Sequence, residues 1–114
     1  MNGKERLLIG AIKRPGKQWE HWLGANTLEA LQAAVGGYIE VLPIGEDMAL
    51  IVDEEGKLKE KAANFALRGD MLVGDVLAVG VQGEDFCHLP ARVTVRELER
   101  LYECWPWEGG ESNG

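Results

Sequence analysis

The alternation of hydrophobic and polar residues is most regular at the centre of the chain, where it predicts a helix over residues 27–35. Its apolar face consists of residues at helical spacing, Leu28, Leu31 and Val35. Asn26 is the predicted N-cap, and Glu29 completes a capping box with it. Gly36 and Gly37 follow the last periodic residue, where glycine can adopt the left-handed conformation that ends a helix.

Apolar, β-branched runs on both sides of this helix predict the strands of a sheet. The predicted strands are residues 6–13, 18–23, 38–44, 48–52 and 76–81. The first two are joined by Pro15 and Gly16, which are typical turn residues, and the next two by a Gly-Glu-Asp connection typical of a β-hairpin. Residues 58–67 have a mixed composition that predicts a short helix or an irregular crossing.

The C-terminal part of the chain predicts a second helix followed by a tail. Thr94 and Glu97 form a capping box, and apolar positions continue at helical spacing over residues 94–104. Residues 108–114 are acidic and rich in glycine and contain no apolar side chain, so they are expected to be disordered. The sequence therefore predicts a single globular domain over residues 1–107 and a disordered acidic tail.

These elements together predict an α+β fold, in which a mainly antiparallel sheet of about five strands carries two helices that cover one face. A chain of 114 residues is long enough to bury roughly two thirds of its unfolded surface in one core. The apolar run of the first strand contains Gly10 and is too short for a signal peptide or a membrane span. We therefore expect a cytoplasmic protein with no membrane partner.

The charge of the chain is negative overall and unevenly distributed. Twelve Lys and Arg residues stand against 19 Asp and Glu residues, which gives a net charge of −7. This balance disfavours nonspecific binding to nucleic acid or to an anionic membrane. Residues 1–17 nevertheless contain five basic residues and one acidic residue, so this arm carries +4 and the rest of the chain −11. Such an arm could hold a small anion, or its charges could simply flank a strand in solvent.

Two tryptophans beside the basic arm are candidates for a ligand-binding platform. Trp19 and Trp22 bracket His21 in the second predicted strand. With Lys13 and Arg14 nearby, an aromatic ring could stack on an anionic heterocycle while the cations bind its charge. The alternative is that one tryptophan lies in the core and the other packs at an edge.

The sequence lacks the residue patterns of common catalytic and metal sites. The only serine, Ser112, lies in the tail, which leaves no serine-based triad. Cys87 and Cys104 have neither the spacing of metal ligands nor the density of a disulfide scaffold. The glycines stand at helix ends and turns rather than in a phosphate-binding loop. We therefore expect a protein that is not an enzyme and has no cofactor or metal.

Several strings occur in an order that resembles a known family. They are VGGYIEVLPI at residues 35–44, LIVDEEGKL at 50–58, Asn64, GDVLAVG at 74–80 and GEDF at 83–86. This series resembles a domain-of-unknown-function family of small proteins from bacteriophages, prophages and other mobile elements. The resemblance covers most of the chain, from Arg6 to about Tyr102. It implies a genetic setting rather than a chemistry, because the family has no established catalytic residues to carry over.

In that setting, the resemblance implies a non-enzymatic binding protein with a counter-defence role, which sequesters a small anionic ligand such as a signalling nucleotide or masks a host protein. The candidate binding residues inside and near the matching strings are Tyr38, Glu40, Asp53, Glu54, Asn64 and Arg68. Each of them could instead be a turn residue or a solvent-facing residue. The alternatives are a small enzyme with a minimal acid or base site and a structural subunit of a phage-encoded complex. The chain could also form a homo-oligomer.

Overall fold

The computed structural model of the chain describes residues 6–102. These residues form eight strands and two helices. The strands are β1 (Leu7–Lys13), β2 (Glu20–Ala25), β3 (Ile39–Ile44), β4 (Met48–Asp53), β5 (Ala63–Leu67), β6 (Asp70–Val73), β7 (Val76–Gln82) and β8 (Asp85–Cys87). The helices are α1 (Leu28–Val35), which lies between β2 and β3, and α2 (Val95–Leu101), which follows β8.

Six of the strands form one sheet, and the remaining two form a separate hairpin. The order in the large sheet is β2-β1-β7-β4-β3, and the short strand β8, which is not part of this order, also pairs with β7. The separate hairpin consists of β5 and β6. All neighbouring strands are antiparallel. The predicted α+β class with a mainly antiparallel sheet is therefore confirmed, and short β8 brings the large sheet to six strands.

The large sheet has a hydrophobic core on each face, and each core is covered by one helix. Leu31 of α1 packs with Ile51 and Leu77 on one face. Leu98 of α2 packs with Leu50 on the other face, together with the β5–β6 hairpin. The helices therefore lie on opposite faces rather than on the single face expected. The reason is that β4 and β7 are apolar at successive positions, and such strands are buried on both sides.

The first helix begins one residue later than the capping pattern predicts. The side chain of Thr27 accepts a hydrogen bond from the backbone N–H of Ala30 at 3.1 Å, so Thr27 is the N-cap. Asn26 Nδ2 instead donates to the backbone carbonyl of Phe86 at 3.0 Å, because this tertiary contact competes for its side chain. Gly36 ends the helix in the left-handed conformation, as predicted, with φ at 81°.

The second helix begins where the capping box predicts. The side chain of Thr94 accepts a hydrogen bond from the backbone N–H of Glu97 at 3.1 Å. The helix ends at Leu101, before the predicted Cys104, because the C-cap Tyr102 leaves the helical conformation, with φ at −132° and ψ at 83°. The predicted tail over residues 108–114 lies outside the described residues. Neither helix of the described part is long and apolar enough to cross a membrane.

Residues 63–67 form a strand, so the predicted short helix or irregular crossing over residues 58–67 is wrong there, while residues 58–62 are turn and irregular backbone. Ala63–Leu67 pairs with Asp70–Val73, with a shift in register just after Ala63. Two successive residues, Asn64 and Phe65, are buried at this bulge. The bulge breaks the alternation that would have identified a strand, and its alanines suit a helix equally well.

Candidate functional site

The polar residues at the end of β4 form a network around a buried carboxylate, that of Asp53. Its side chain is 1% exposed and accepts hydrogen bonds from Lys59 and Lys61, each at 2.8 Å. The same ammonium groups cap the end of α1. Lys59 donates to the carbonyl of Gly36 at 3.1 Å, and Lys61 donates to that of Val35 at 2.9 Å. The network therefore ties the end of α1 to the end of β4.

The surroundings of Asp53 keep its carboxyl group ionised. Burial opposes the charge, but hydrogen bonds from Lys59, Lys61 and the backbone of Glu55 outweigh burial and lower the pKa from 3.8 to about 2. A general acid or base that works near neutral pH needs a pKa much closer to neutrality. The arrangement therefore makes Asp53 a structural acceptor. The Asp53 carboxylate also leaves no room for a side chain at Gly37, because a Cβ there would lie 2.5 Å from Asp53 Oδ1.

Besides Asp53, three of the predicted binding residues lie in the interior. Asn64 is fully buried, and its Nδ2 donates to the backbone carbonyls of Lys13 and Gly74, both at 2.8 Å. The side chain of Lys13 is also fully buried, and its Nζ donates to a carbonyl of the following turn at 2.8 Å. Trp19 is 3% exposed, and its Nε1 donates to the carbonyl of Tyr102 at 3.2 Å. Trp19 is thus a core residue and offers no ring face to a ligand.

The two predicted binding arginines lie at the surface, where each already has a protein partner. Arg14 lies 3.3 Å from the carboxylate of Glu20 and 3.9 Å from that of Asp75. Arg68 has a positive φ of 53°, and its guanidinium donates to the backbone carbonyl of Pro43 at 3.0 Å. Lys13 is buried and Arg14 is paired, so neither of these two predicted residues presents a free cation to an anionic ligand.

The remaining predicted residues, Tyr38, Glu40 and Glu54, are exposed and meet at one end of the β3–β4 hairpin. The backbone N–H of Glu54 donates to the carbonyl of Tyr38 at 2.8 Å. Glu40 and Glu54 line a cleft of about 250 Å³, whose walls also include the Lys57–Asp70 ion pair. Its apolar lining consists of Val52, Met71, Leu72 and Val73. Carboxylates outnumber cations along this cleft, so it does not suit an anionic ligand.

A larger groove lies between the β3–β4 turn and α2, with a volume of about 660 Å³. Its apolar lining residues are Ile44, Met48, Val93, Leu101 and Tyr102. Its charged lining residues are Glu46, Asp47, Arg92 and Glu97. A concave apolar surface with a few polar groups is the usual form of a binding site, and none of the predicted binding residues lines this one.

The charged residues of this groove are mostly paired. Arg92 binds Asp47 through two contacts, of 2.8 and 2.9 Å, and this hydrogen-bonded pairing lowers the pKa of Asp47 and raises that of Arg92. Glu97 pairs with Arg100 one turn further along α2. Glu46 forms no ion pair with a described residue, so the groove carries a net negative charge.

Sequence reasoning missed this groove because its two sides are far apart in the chain. Arg92 and Asp47 are separated by 45 positions. The capping box at Thr94 did locate α2, and the Gly-Glu-Asp connection did locate the turn. Neither signal indicates that α2 packs beside the turn. The position of α2 depends on which face of the sheet the helix covers, and neither motif carries that information.

A flat apolar surface lies on β1 and β2, at the edge of the large sheet. Leu7, Ile9 and Leu23 are each about half or more exposed. Ile9 is opposite Leu23 in the strand pairing, and Leu7 is opposite Ala25, so all four side chains are on the same face. Exposed apolar groups that lie together in this way are typical of interaction surfaces.

Comparison with known proteins identifies a family but no characterised relative. The family model described as a domain of unknown function, DUF3846, matches residues 9–103. Searches of curated proteins and of solved structures found no match to the chain. Within residues 6–102, no group of three or more His, Cys, Asp or Glu side chains is arranged to hold a metal ion.

Proposed function

The chain belongs to the DUF3846 family, and we propose that it is a non-enzymatic binding protein of a phage or mobile element, which masks a host protein in the host cytoplasm as a counter-defence. The observation that supports this proposal best is the groove between the β3–β4 turn and α2. Its volume of about 660 Å³ is enough for several side chains of a partner. The apolar lining supplies contact area, and the charged residues at its sides supply specificity.

Masking of a protein agrees better with the electrostatics than sequestration of an anion does. Trp19 and Lys13 are buried, and Arg14 is paired with acidic residues. The cleft near Glu40 and the groove near Glu46 both carry more carboxylates than free cations. We therefore expect the partner to present an apolar segment flanked by basic residues, because these complement the groove.

Capture from a lysate of the host bacterium, followed by a direct binding measurement, tests this proposal. Leu101 lines the groove and is 52% exposed, so Leu101→Glu should leave the fold intact and place a charge in the contact surface. Leu58→Glu is the matched control, because Leu58 is 83% exposed and does not line the groove. The wild type and the control should capture the same protein in stoichiometric amount, and Leu101→Glu should not.

The captured protein is then purified and titrated by calorimetry. A buried charge in the centre of an interface commonly costs 2 kcal/mol or more, which is at least a thirtyfold loss in affinity. Leu101→Glu should therefore weaken binding by roughly that factor, while Leu58→Glu binds like the wild type. Equal affinities for all three chains would refute the groove as the masking surface.

One observation favours a small anionic ligand as the second candidate. Arg92 and Tyr102, a cation and an aromatic residue, both line the groove. An anion could bind Arg92 only by displacing Asp47 from its two contacts with the guanidinium. A thermal-shift screen over cyclic and linear nucleotides tests this candidate, because a ligand that binds only the folded state raises the melting temperature. A shift that Arg92→Ala abolishes would establish ligand capture in place of masking.

A further inference from the structure

The two edges of the large sheet differ in how they are protected. The edge strand β3 contains Pro43, which has no N–H to donate, and the exposed charge of Glu40. The opposite edge strand β2 has the sequence EHWLGA, with neither proline nor lysine and with its one carboxylate at the first position. Proteins usually blunt an open edge to prevent pairing, so an unblunted edge indicates that pairing occurs there.

The hydrogen-bonding pattern shows which groups β2 presents at its open edge. The backbone N–H of Asn26 donates to the carbonyl of Arg6 at 2.9 Å, so Asn26 faces β1. Backbone groups alternate in direction along an antiparallel strand, so residues 22 and 24 also face β1. The N–H and C=O groups of His21, Leu23 and Ala25 therefore point away from the sheet, and no described strand lies beside them.

We propose that β2 pairs antiparallel with β2 of a second copy of this chain, about a two-fold axis at Leu23. In this register, Leu23 is opposite its own equivalent, and His21 is opposite Ala25 of the second copy. Only a register centred on Leu23 pairs all three outward-facing residues of both chains. The two sheets then join into one continuous sheet across an interface in which both copies use the same surface.

The side chains on both faces of β2 fit this register. On one face, Leu23 meets its equivalent, and Ile9 lies directly behind it in each copy, so the two apolar surfaces become one continuous stripe. On the other face, Trp22 is opposite Gly24 of the second copy. Trp22 already lies over its own Gly24, where an added Cβ would be 2.5 Å from the indole ring. Each indole therefore stays over its own strand, and the facing Gly24 has no side chain that would collide with it.

The charges at the ends of β2 are also complementary under this symmetry. Glu20 is opposite Asn26 of the second copy, and Asn26 is paired with Arg6 on the neighbouring strand. Glu20 and Asn26 are an even number of residues apart along the strand, so their side chains are on the same face of the sheet. Arg6 is opposite Asn26 in the register of β1 and β2, so its side chain is on that face too. Strands are about 4.8 Å apart, so Glu20 and Arg6 of the second copy are about 10 Å apart at the backbone, within reach of their side chains. Glu20 already lies 3.3 Å from Arg14 of its own chain, so Arg6 of the second copy would be a second cation beside it, and the symmetry creates this contact twice.

Sedimentation velocity over a range of concentrations tests the dimer directly. The wild type should shift with concentration toward twice the 12.5 kDa mass of one chain. Leu23→Lys places like charges opposite each other and should raise the dissociation constant roughly tenfold or more. Leu58→Lys makes the same change of charge at a residue that is 83% exposed and outside β2, and it should dimerise like the wild type. A wild type that stays monomeric at every concentration would overturn the proposal.

Two further measurements distinguish strand pairing from any other apolar contact. His21→Pro keeps the apolar stripe and removes an N–H that points away from β1, so it should abolish the dimer while the circular dichroism spectrum is retained. In the wild type, hydrogen exchange at the amides of His21, Leu23 and Ala25 should slow as concentration rises. A dimer that survives His21→Pro with unprotected amides would show that β2 does not pair.

Charge exchange tests the register. Arg6→Glu alone and Glu20→Arg alone each bring like charges together in their own homodimers and should weaken them roughly threefold to tenfold. A mixture of these two variants should dimerise about as well as the wild type, because Glu meets Arg in both contacts of the mixed dimer. If the mixture is no stronger than the separate variants, the register centred on Leu23 is wrong.

Discussion

Gly37→Ala is expected to be one of the most destabilising small substitutions in the chain. The added Cβ would lie 2.5 Å from Asp53 Oδ1 and 2.6 Å from Lys59 Nζ, whereas ordinary contacts begin near 3.4 Å. Asp53 Oδ1 would therefore have to retreat by about 0.9 Å. It accepts a hydrogen bond from the backbone N–H of Glu55 at 2.8 Å, and a retreat directed away from that N–H would break the bond. Loss of a charged hydrogen bond costs about 1.5–3 kcal/mol, and overpacking adds about 1–3 kcal/mol.

The expected loss in free energy of unfolding for Gly37→Ala is therefore about 2.5–6 kcal/mol, measured by urea denaturation. Gly45→Ala is the matched control. Gly45 has a positive φ of 63° and no atom within 4 Å of an added Cβ, so only conformational strain of about 1–2 kcal/mol is expected. Adding Asp53→Ala to Gly37→Ala should remove the clash with the carboxylate and release Lys59 from it, so the two changes together should cost less than their sum. Equal losses for Gly37→Ala and Gly45→Ala would refute the steric argument.

Three other changes test the structure at independent places. Because the pKa of Asp53 is lower in the folded state, about 2 against 3.8, its ionised form stabilises the fold above pH 4, and about 2 kcal/mol should be lost as the pH falls from 4 to 2. Asp53→Asn should remove this contribution from urea melts at those pH values. Leu31→Ala should cost roughly 2–5 kcal/mol, because Leu31 is 2% exposed, and a loss below about 1 kcal/mol would contradict its place in the core. Deleting residues 108–114 should leave the thermal midpoint unchanged, whereas a large drop would show that the tail docks.

The elements that sequence reasoning located correctly are those in which local signals agree. The helix before Gly36, the β3–β4 hairpin and the start of α2 at Thr94 each combine apolar periodicity with a suitable cap or turn. The error at residues 58–67 arose where such agreement is missing. Asn64 is buried at a bulge, and its amide bridges two backbone carbonyls, an arrangement that depends on strands distant in sequence.

The placement of the helices could not be derived from the sequence, because β4 and β7 have no polar face. A strand with alternating polar residues shows which side is buried, whereas Leu50 and Ile51 are both fully buried on opposite sides. The groove depends on this placement, since α2 forms one wall of it and the β3–β4 turn forms the other. The groove could not be predicted because the sequence did not show that each face of the sheet carries its own core and its own helix.

Two of the predicted binding residues, Asp53 and Asn64, are buried and stabilise the fold, for a physical reason. A polar residue inside an apolar string suggests function, because burying it unpaired is costly. Here Asp53 is buried with partners and joins the end of α1 through two lysines. Asn64 Nδ2 joins β1 to the turn after β6, while Asn64 Oδ1 is buried with no hydrogen-bond partner among residues 6–102. Their substitution should therefore reduce stability first, and any loss of binding should follow the loss of fold. Exposed residues such as Leu101 and Leu23 have no such structural task, so substitutions there separate binding from folding.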